Sequence, residues 1–484
     1  DSGDAAEYLN ALVRSHYLTF RNDTTEPSYQ YHDLFRDFLL RRGAQTFNAT
    51  DYTHHQRRAA VILEAVGDLS AAVELRQALG DWEELSRLVQ QHGQTLLRQG
   101  RSQLLETWLH GFPPTMRDQS PWLLFWLGQC KLHHNPVGAR KTLVRAYRRF
   151  KHLGDSPGVW LTWVTITDSY CLAWDNFKAA RGWLVEFEYL QQRYPGIPVP
   201  DLEARVVCGV FNMMLYAWPE HPRFAYWEQR LVQLLQSRCP PEIYLISLVS
   251  LLLHYVWNTG QRAKATWALT LLRNANADTS DVPPVLRCLG YWGKFCYQYL
   301  FEGNSIECLT LAKTASAIAT RYGIQVIEPS LSGFVVIHLN EGRLEAGRTA
   351  LERFKPVVHS LRPVEQLHYH WLCGWEAWLS GRLAEAAELL QQSLPASHQT
   401  FYHATGMIQW GLAQVQASLG NRSSALRHLA GMRFWIRAAN SQIGRFARTL
   451  ATAQFALDWG RRERSLRLLR AAFTIGRREG YLCF

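Results

Sequence analysis

The chain has 484 residues, more than one ordinary hydrophobic core organises, and 52 Lys and Arg against 41 Asp and Glu give a formal net charge of +11. Hydrophobic residues make up 47% and charged residues 19%, which excludes a disordered chain. The arginines are spread over many segments, so the basic balance permits a nucleic-acid partner without requiring one.

The nine cysteines are scattered without a C-x-x-C or a zinc-like spacing to His, and six of them (Cys171, Cys208, Cys288, Cys296, Cys308 and Cys373) fall within apolar helical patterns. Core thiols in a reducing, cytoplasmic compartment are expected. No Met opens the chain and Asp1-Ser2-Gly3-Asp4 begins no signal peptide, so it reads as a fragment or a processed form.

In chain order, EYLNALVRSHYLTF (residues 7–20) predicts an amphipathic helix running into an aromatic strand. RNDTTEPS is a turn-rich loop, the stretch around Tyr29 to Tyr31 a second short strand, and YHDLFRDFLLRRG a further helix. Helix, short strands, helix is the layout of a small winged-helix unit, assigned to residues 1–48. Helical linker repeats are expected over 49–120 and a helical-repeat domain over 121–484. The most apolar stretch, Ile243 to Trp257, is interrupted by two Ser and a His, and we read it as a buried helix rather than a membrane span.

A repeat organises the second half. Six helix-to-helix turns carry Gly260, Gly303, Gly342, Gly381, Gly420 and Gly460, at intervals of 43, 39, 39, 39 and 40. Five residues after each Gly stands a small side chain: Ala265, Cys308, Gly347, Ala386, Ala425 or Ser465. Nine after it stands an apolar one: Leu269, Ala312, Leu351, Leu390, Leu429 or Leu469. Glycine closes a tight turn, the small residue lets the second helix cross its partner closely, and the apolar residue fills the core one turn on. Such helix pairs bury their apolar faces only by stacking. Looser copies precede them near Gly67, Asn135 and Trp174.

Trp292, Phe295-Cys296 and Tyr299 stand before Gly303, Cys373-Gly374 before Gly381, and Leu412-Ala413 before Gly420. These positions resemble helix A of the tetratricopeptide repeat. The period of about 39 exceeds that family's 34, so longer helices are expected. The resemblance implies an all-α fold, an α-solenoid in a tetratricopeptide-like superhelix, preceded by the winged-helix-like segment. It also implies that the first helix of each pair lines the concave side, at positions 3, 6 and 10 before the turn Gly. Those positions are Trp378, Trp375 and Trp371 before Gly381, Trp257 and His254 before Gly260, Tyr297 before Gly303, and Gln414 and Trp410 before Gly420. The copy at Trp174 adds Asp168. The stripe reads either as core filling or as a binding wall for a sugar, an aromatic acid or an apolar peptide.

Catalytic signatures are missing. G-x-S-x-G, H-E-x-x-H and G-x-x-x-x-G-K-[ST] do not occur, the pairs His54-His55 and His133-His134 point to different helix faces, and Glu83-Glu84 is read as part of a polar face without partners. Neither an enzyme nor a metal site is expected. The basic run from Gly460 to Arg478 is read as a solvated helix face.

Tyr31, His32, Leu34, Phe35, Arg36, Phe38 and Leu39, then His55-Gln56-Arg57-Arg58-Ala59-Ala60, then Gly80-Asp81, and finally AAFTIGRREGYLCF (471–484) stand in a recognisable order. That order resembles the bacterial STAND-class transcriptional regulators of the maltotriose-activator (MalT-like) type, with Asp33 where many members carry Pro. The resemblance implies an upstream ATPase module holding ATP and Mg, a downstream DNA-binding output domain of LuxR or SARP type, and self-association. This region itself would hold no cofactor and touch neither membrane nor DNA. It would take a small-molecule inducer or a protein effector on its concave face. The alternative is a helical-repeat scaffold for protein partners without a ligand switch.

Overall fold

A computed structural model describes residues 2–15, 18–22, 28–197, 199–237, 239–275, 282–324, 331–400 and 402–481. Parts of the readings made on Asp1, on the turn at residues 23–27 and on Leu482, Cys483 and Phe484 lie outside them. The chain forms two compact units, residues 1–130 and 131–484.

The first unit begins with a helix, Ser2–Arg14, and an antiparallel pair of strands, β1 (Thr19–Asn22) and β2 (Ser28–Tyr31), in the register Phe20 opposite Gln30. Asn10 ties helix to strands, its Oδ1 accepting from the Tyr29 hydroxyl at 2.8 Å and from Arg21 at 3.0 Å. Tyr31 meets Phe35 edge-on at 5.4 Å, where the helix Asp33–Thr46 starts. These are the only strands among the described residues.

Helices Ala49–Ala65, Leu69–Leu79 and Trp82–Arg98 follow. They are locked by a charge cluster: Arg57 donates to Asp81 at 2.8 and 3.1 Å, and the buried Arg76 reaches Glu64 at 3.0 Å and Asp81 at 3.4 Å. Two of the separated sequence motifs therefore meet in one ion pair. Its hydrogen bonds from Arg57 hold the Asp81 carboxyl below its ordinary range.

In the second unit helix pairs stack along the chain, and the six glycine-turn repeats occupy 241–479. The leading helices of the fourth, fifth and sixth, Pro363–Leu379, Tyr402–Ser418 and Gln442–Asp458, are 17 residues each. Pro241, Pro284 and Pro363 each open a leading helix, where a missing N–H costs nothing. All six turn glycines lie in the left-handed region, with φ between 62° and 80°. The small residues five positions on are buried, and Leu269, Ala312, Leu351, Leu390 and Leu429 fill the layer beneath. The contact is close: a Cβ on Gly374 would stand 2.8 Å from Leu390 Cγ. The structure is the expected all-α solenoid.

Three leading helices contain a π-helical segment: His254–Thr259 in the first repeat, Gln298–Glu302 in the second and Leu331–Val336 in the third. The apolar stretch at 243–257 is the buried helix Pro241–Leu253 running into the first of these. No helix of the described residues is long and apolar enough to cross a membrane. The trailing helix of the sixth repeat, Arg462–Glu479, leaves Arg462, Arg464, Arg467, Arg470 and Arg477 exposed.

Candidate functional site

The leading helices of all six repeats face a common cavity of about 480 Å³, joined by Trp174, Leu215 and Tyr216 from the helices before them. Its size falls within the roughly 300–1,000 Å³ of small-molecule sites. Met432 and Trp435, from the trailing half of the fifth repeat, complete the described lining.

Trp371, Trp375 and Trp378 all line it. Trp371 and Trp375 lie 5.2 Å apart at 41°, and Trp371 is also 5.8 Å from His368. Trp378 donates its Nε1–H to Ser418 Oγ at 3.2 Å, which fixes the indole across to the fifth repeat. Trp371 is 8% exposed and packs into the core with Leu372, Leu390 and Leu412, whereas Trp375 and Trp378 are only partly buried. Trp410, Gln414, Trp257 and His254 line the same cavity. Trp257 stacks on His403 at 6.2 Å and 13°.

Tyr297 and Asp168 are not brought to the cavity. The π-helical segment at Gln298–Glu302 adds a residue to the turn and moves the lining positions one or two residues back, to Trp292, Phe295 and Tyr299. These three rings form a stack, at 5.2 Å between the first two and 6.1 Å between the last. Tyr297 turns instead to the trailing helix, its hydroxyl 2.7 Å from that of Thr266. Asp168 pairs with Arg205 at 3.0 Å. The turn after it has no glycine, and Trp174 itself takes the left-handed conformation with φ 43°, lining the cavity in Asp168's stead.

The polar groups at the cavity are few. Asn340 donates to the Tyr299 hydroxyl at 2.7 Å. His254, Asn258 and Gln414 are 3%, 7% and 5% exposed, and their side chains make no hydrogen bond to any described residue. Burial among Phe211, Phe224 and Tyr255 pushes the His254 imidazole down to about 4, against the opposing pull of Glu228. Asn258 carries no periodic signal. Its place follows from the π-helical segment, which sets it one residue beyond Trp257 on the lining face. Among the described residues no Asp, Glu, Lys or Arg lines the cavity. The arrangement can stack flat apolar faces and satisfy a small number of hydrogen bonds. Among the described residues no group of acidic, His and Cys side chains could hold a metal ion.

Residues 1–50 match the family model of the MalT winged helix domain. No curated protein matches the chain. Among solved structures it is similar to the APC/C hetero-tetramer Cut9-Hcn1, with a TM-score of 0.44, 11% identity, and coverage of 90% of this chain and 80% of that one. It is similar to yeast Tom70, with a TM-score of 0.37, 8% identity, and coverage of 89% and 93%. It is also similar to Naa15/Naa10 bound to HypK-THB, with a TM-score of 0.23, 11% identity, and coverage of 86% and 68%.

Proposed function

We propose that this chain is the effector-sensing region of a STAND-class signal-transduction regulator of transcription. In this reading a small-molecule inducer, or a protein effector, enters the cavity on the inner side of the helix pairs. By binding one arrangement of the repeats better than another, it shifts the protein between a closed form and a self-associating form. ATP and Mg would act in a module upstream of residue 1, and DNA would be bound by an output domain downstream of residue 484. The match of residues 1–50 to the MalT winged helix domain supports the regulatory part of the reading. The observation that carries the sensing part is the cavity itself, walled by six leading helices and holding His254, Asn258 and Gln414, buried side chains with no hydrogen bond to any described residue.

The test is a pair of substitutions, Trp375→Ala and Trp378→Ala. Both indoles line the cavity and are only partly buried. Each variant should keep its helical circular dichroism and cooperative melting while losing at least about tenfold in effector affinity, about 1.4 kcal/mol. Unfolding of both would assign the stripe to the core. Unchanged affinity in both would leave a protein-docking scaffold as the function.

A further inference from the structure

Resting on that reading of the cavity, we propose that its ligand is an uncharged, largely apolar ring compound with two or three hydrogen-bonding groups, and that carboxylates, phosphates and oligosaccharides are rejected.

The chemistry of the wall selects for this. Its surface is made mainly by indole, phenyl and aliphatic side chains. Flat rings stack on them with offset or edge-on geometry and displace water that is poorly held. An anion would leave its hydration for a site whose described wall carries no Lys or Arg, and Arg362, 5.0 Å from the Trp174 ring, is already paired with Glu365 at 2.7 Å. His254 does not supply the missing cation, because burial keeps its ring neutral at pH 7. An oligosaccharide fails for another reason. Each of its many hydroxyls must regain a partner on entry, and a buried hydroxyl without one is penalised. The wall offers His254, Asn258, Gln414 and the buried Trp435 indole N–H with free hydrogen-bonding capacity, and Gln454 at an exposed position. Four buried groups match a ligand carrying one amide, lactone or phenol, not one carrying ten hydroxyls. His254 narrows the match further. Its Nδ1 is sealed from solvent without a partner, so the ring can serve a ligand only through Nε2.

The test uses three probes on the full 484-residue chain, read by isothermal calorimetry and by the shift in melting temperature. They are 2-naphthamide, its isosteric anion 2-naphthoate, and the trisaccharide raffinose. Saturable one-to-one binding of 2-naphthamide is expected, at least tenfold tighter than 2-naphthoate, with no raffinose binding at 10 mM. Gln454→Arg places a cation at an exposed part of the wall and should narrow the amide-to-acid ratio at least threefold. Equal or tighter binding of 2-naphthoate or raffinose by the unaltered chain overturns the ligand class and leaves the cavity reading in place. Failure of all three probes to bind also overturns the class. If 2-naphthamide binds unaltered protein, Trp378→Ala and a cavity-filling Ala447→Trp variant equally well, the site lies elsewhere and the cavity reading itself falls.

Discussion

Glu376 shows how a single charged residue fixes the wall. It follows Trp375 on the fourth leading helix and is 4% exposed. Its carboxylate accepts from Arg382 at 2.5 Å, from Ser380 at 2.8 Å and from Arg348 of the third repeat at 2.9 Å. Burial alone would push the carboxyl up, but the bonds from Arg382, Ser380 and Arg348 outweigh it and hold it below its ordinary 4.5. A group lowered on folding stabilises the fold above its unfolded value and stops doing so as pH falls through its folded one. Glu376→Gln should therefore cost about 2 kcal/mol at pH 7, less than the 3–5 of a fully buried pair because both guanidiniums are more than a third exposed. The difference in melting temperature between the two proteins should be full at pH 7 and close progressively below about pH 4.5. A gap that persists unchanged at pH 3 would assign the loss to packing instead of charge. The same helix shows why sequence alone leaves the tryptophan stripe undecided. Helical spacing places Trp371, Trp375 and Trp378 on one face, but that face is core at one end and cavity wall at the other, and i to i+7 periodicity carries no information about depth.

At the scale of the helix pair, what the sequence makes legible is what local geometry demands. A left-handed φ at the turn favours glycine, so the repeat announces itself through Gly260 to Gly460. A close crossing requires a small side chain, so Ala265 to Ser465 announce the packing. The close approach at Gly374 is testable. Gly374→Val would drive a branched side chain into Leu390, whose Cγ already stands 2.8 Å from where a Cβ would be. The expected cost is about 1–3 kcal/mol, read as a lower melting temperature with unchanged helical content. Gly374→Ala should cost less, and a double variant with Leu390→Ala should recover part of the loss. What stays illegible is any departure from the regular helix. The π-helical segments at 254–259 and 298–302 have no composition of their own, yet one of them moves Tyr299 into the cavity and Tyr297 out of it. The glycine-free turn at Trp174 does the same for Asp168. Both misplacements follow from counting back from a turn as though every residue advanced the helix by the same 100°.

At the largest scale, the second unit holds contacts that a sequence period cannot encode, because they join residues about 200 apart. Near its start, the Phe177 N–H donates to the Gln399 carbonyl at 3.1 Å, and Arg181 and Glu220 both meet the Tyr402 hydroxyl. At its end, Tyr481 is 1% exposed, its ring packed on Phe301 at 5.9 Å and Phe446 at 5.4 Å, and its hydroxyl donates to the Gly260 carbonyl. The last repeat thus rests on the turn of the first. An open solenoid behaves as a row of nearest neighbours, in which a lesion in one terminal repeat leaves distant repeats untouched. A closed one does not. Tyr481→Ala removes a fully buried aromatic and should cost about 3–5 kcal/mol. Tyr481→Phe removes only the hydroxyl and should cost about 1–3 kcal/mol, for the Gly260 carbonyl left without its donor. The decisive measurement is native-state hydrogen exchange. In both variants amide exchange should accelerate at residues 254–265 of the first repeat as well as in the sixth, while the fourth repeat, remote from this seam, keeps its protection. His254, Trp257 and Asn258 are also cavity wall, so loosening the seam should weaken ligand binding without altering any side chain that touches the ligand. Acceleration confined to the sixth repeat would mean that its contact with Gly260 carries no coupling, and that the six pairs act as an open row.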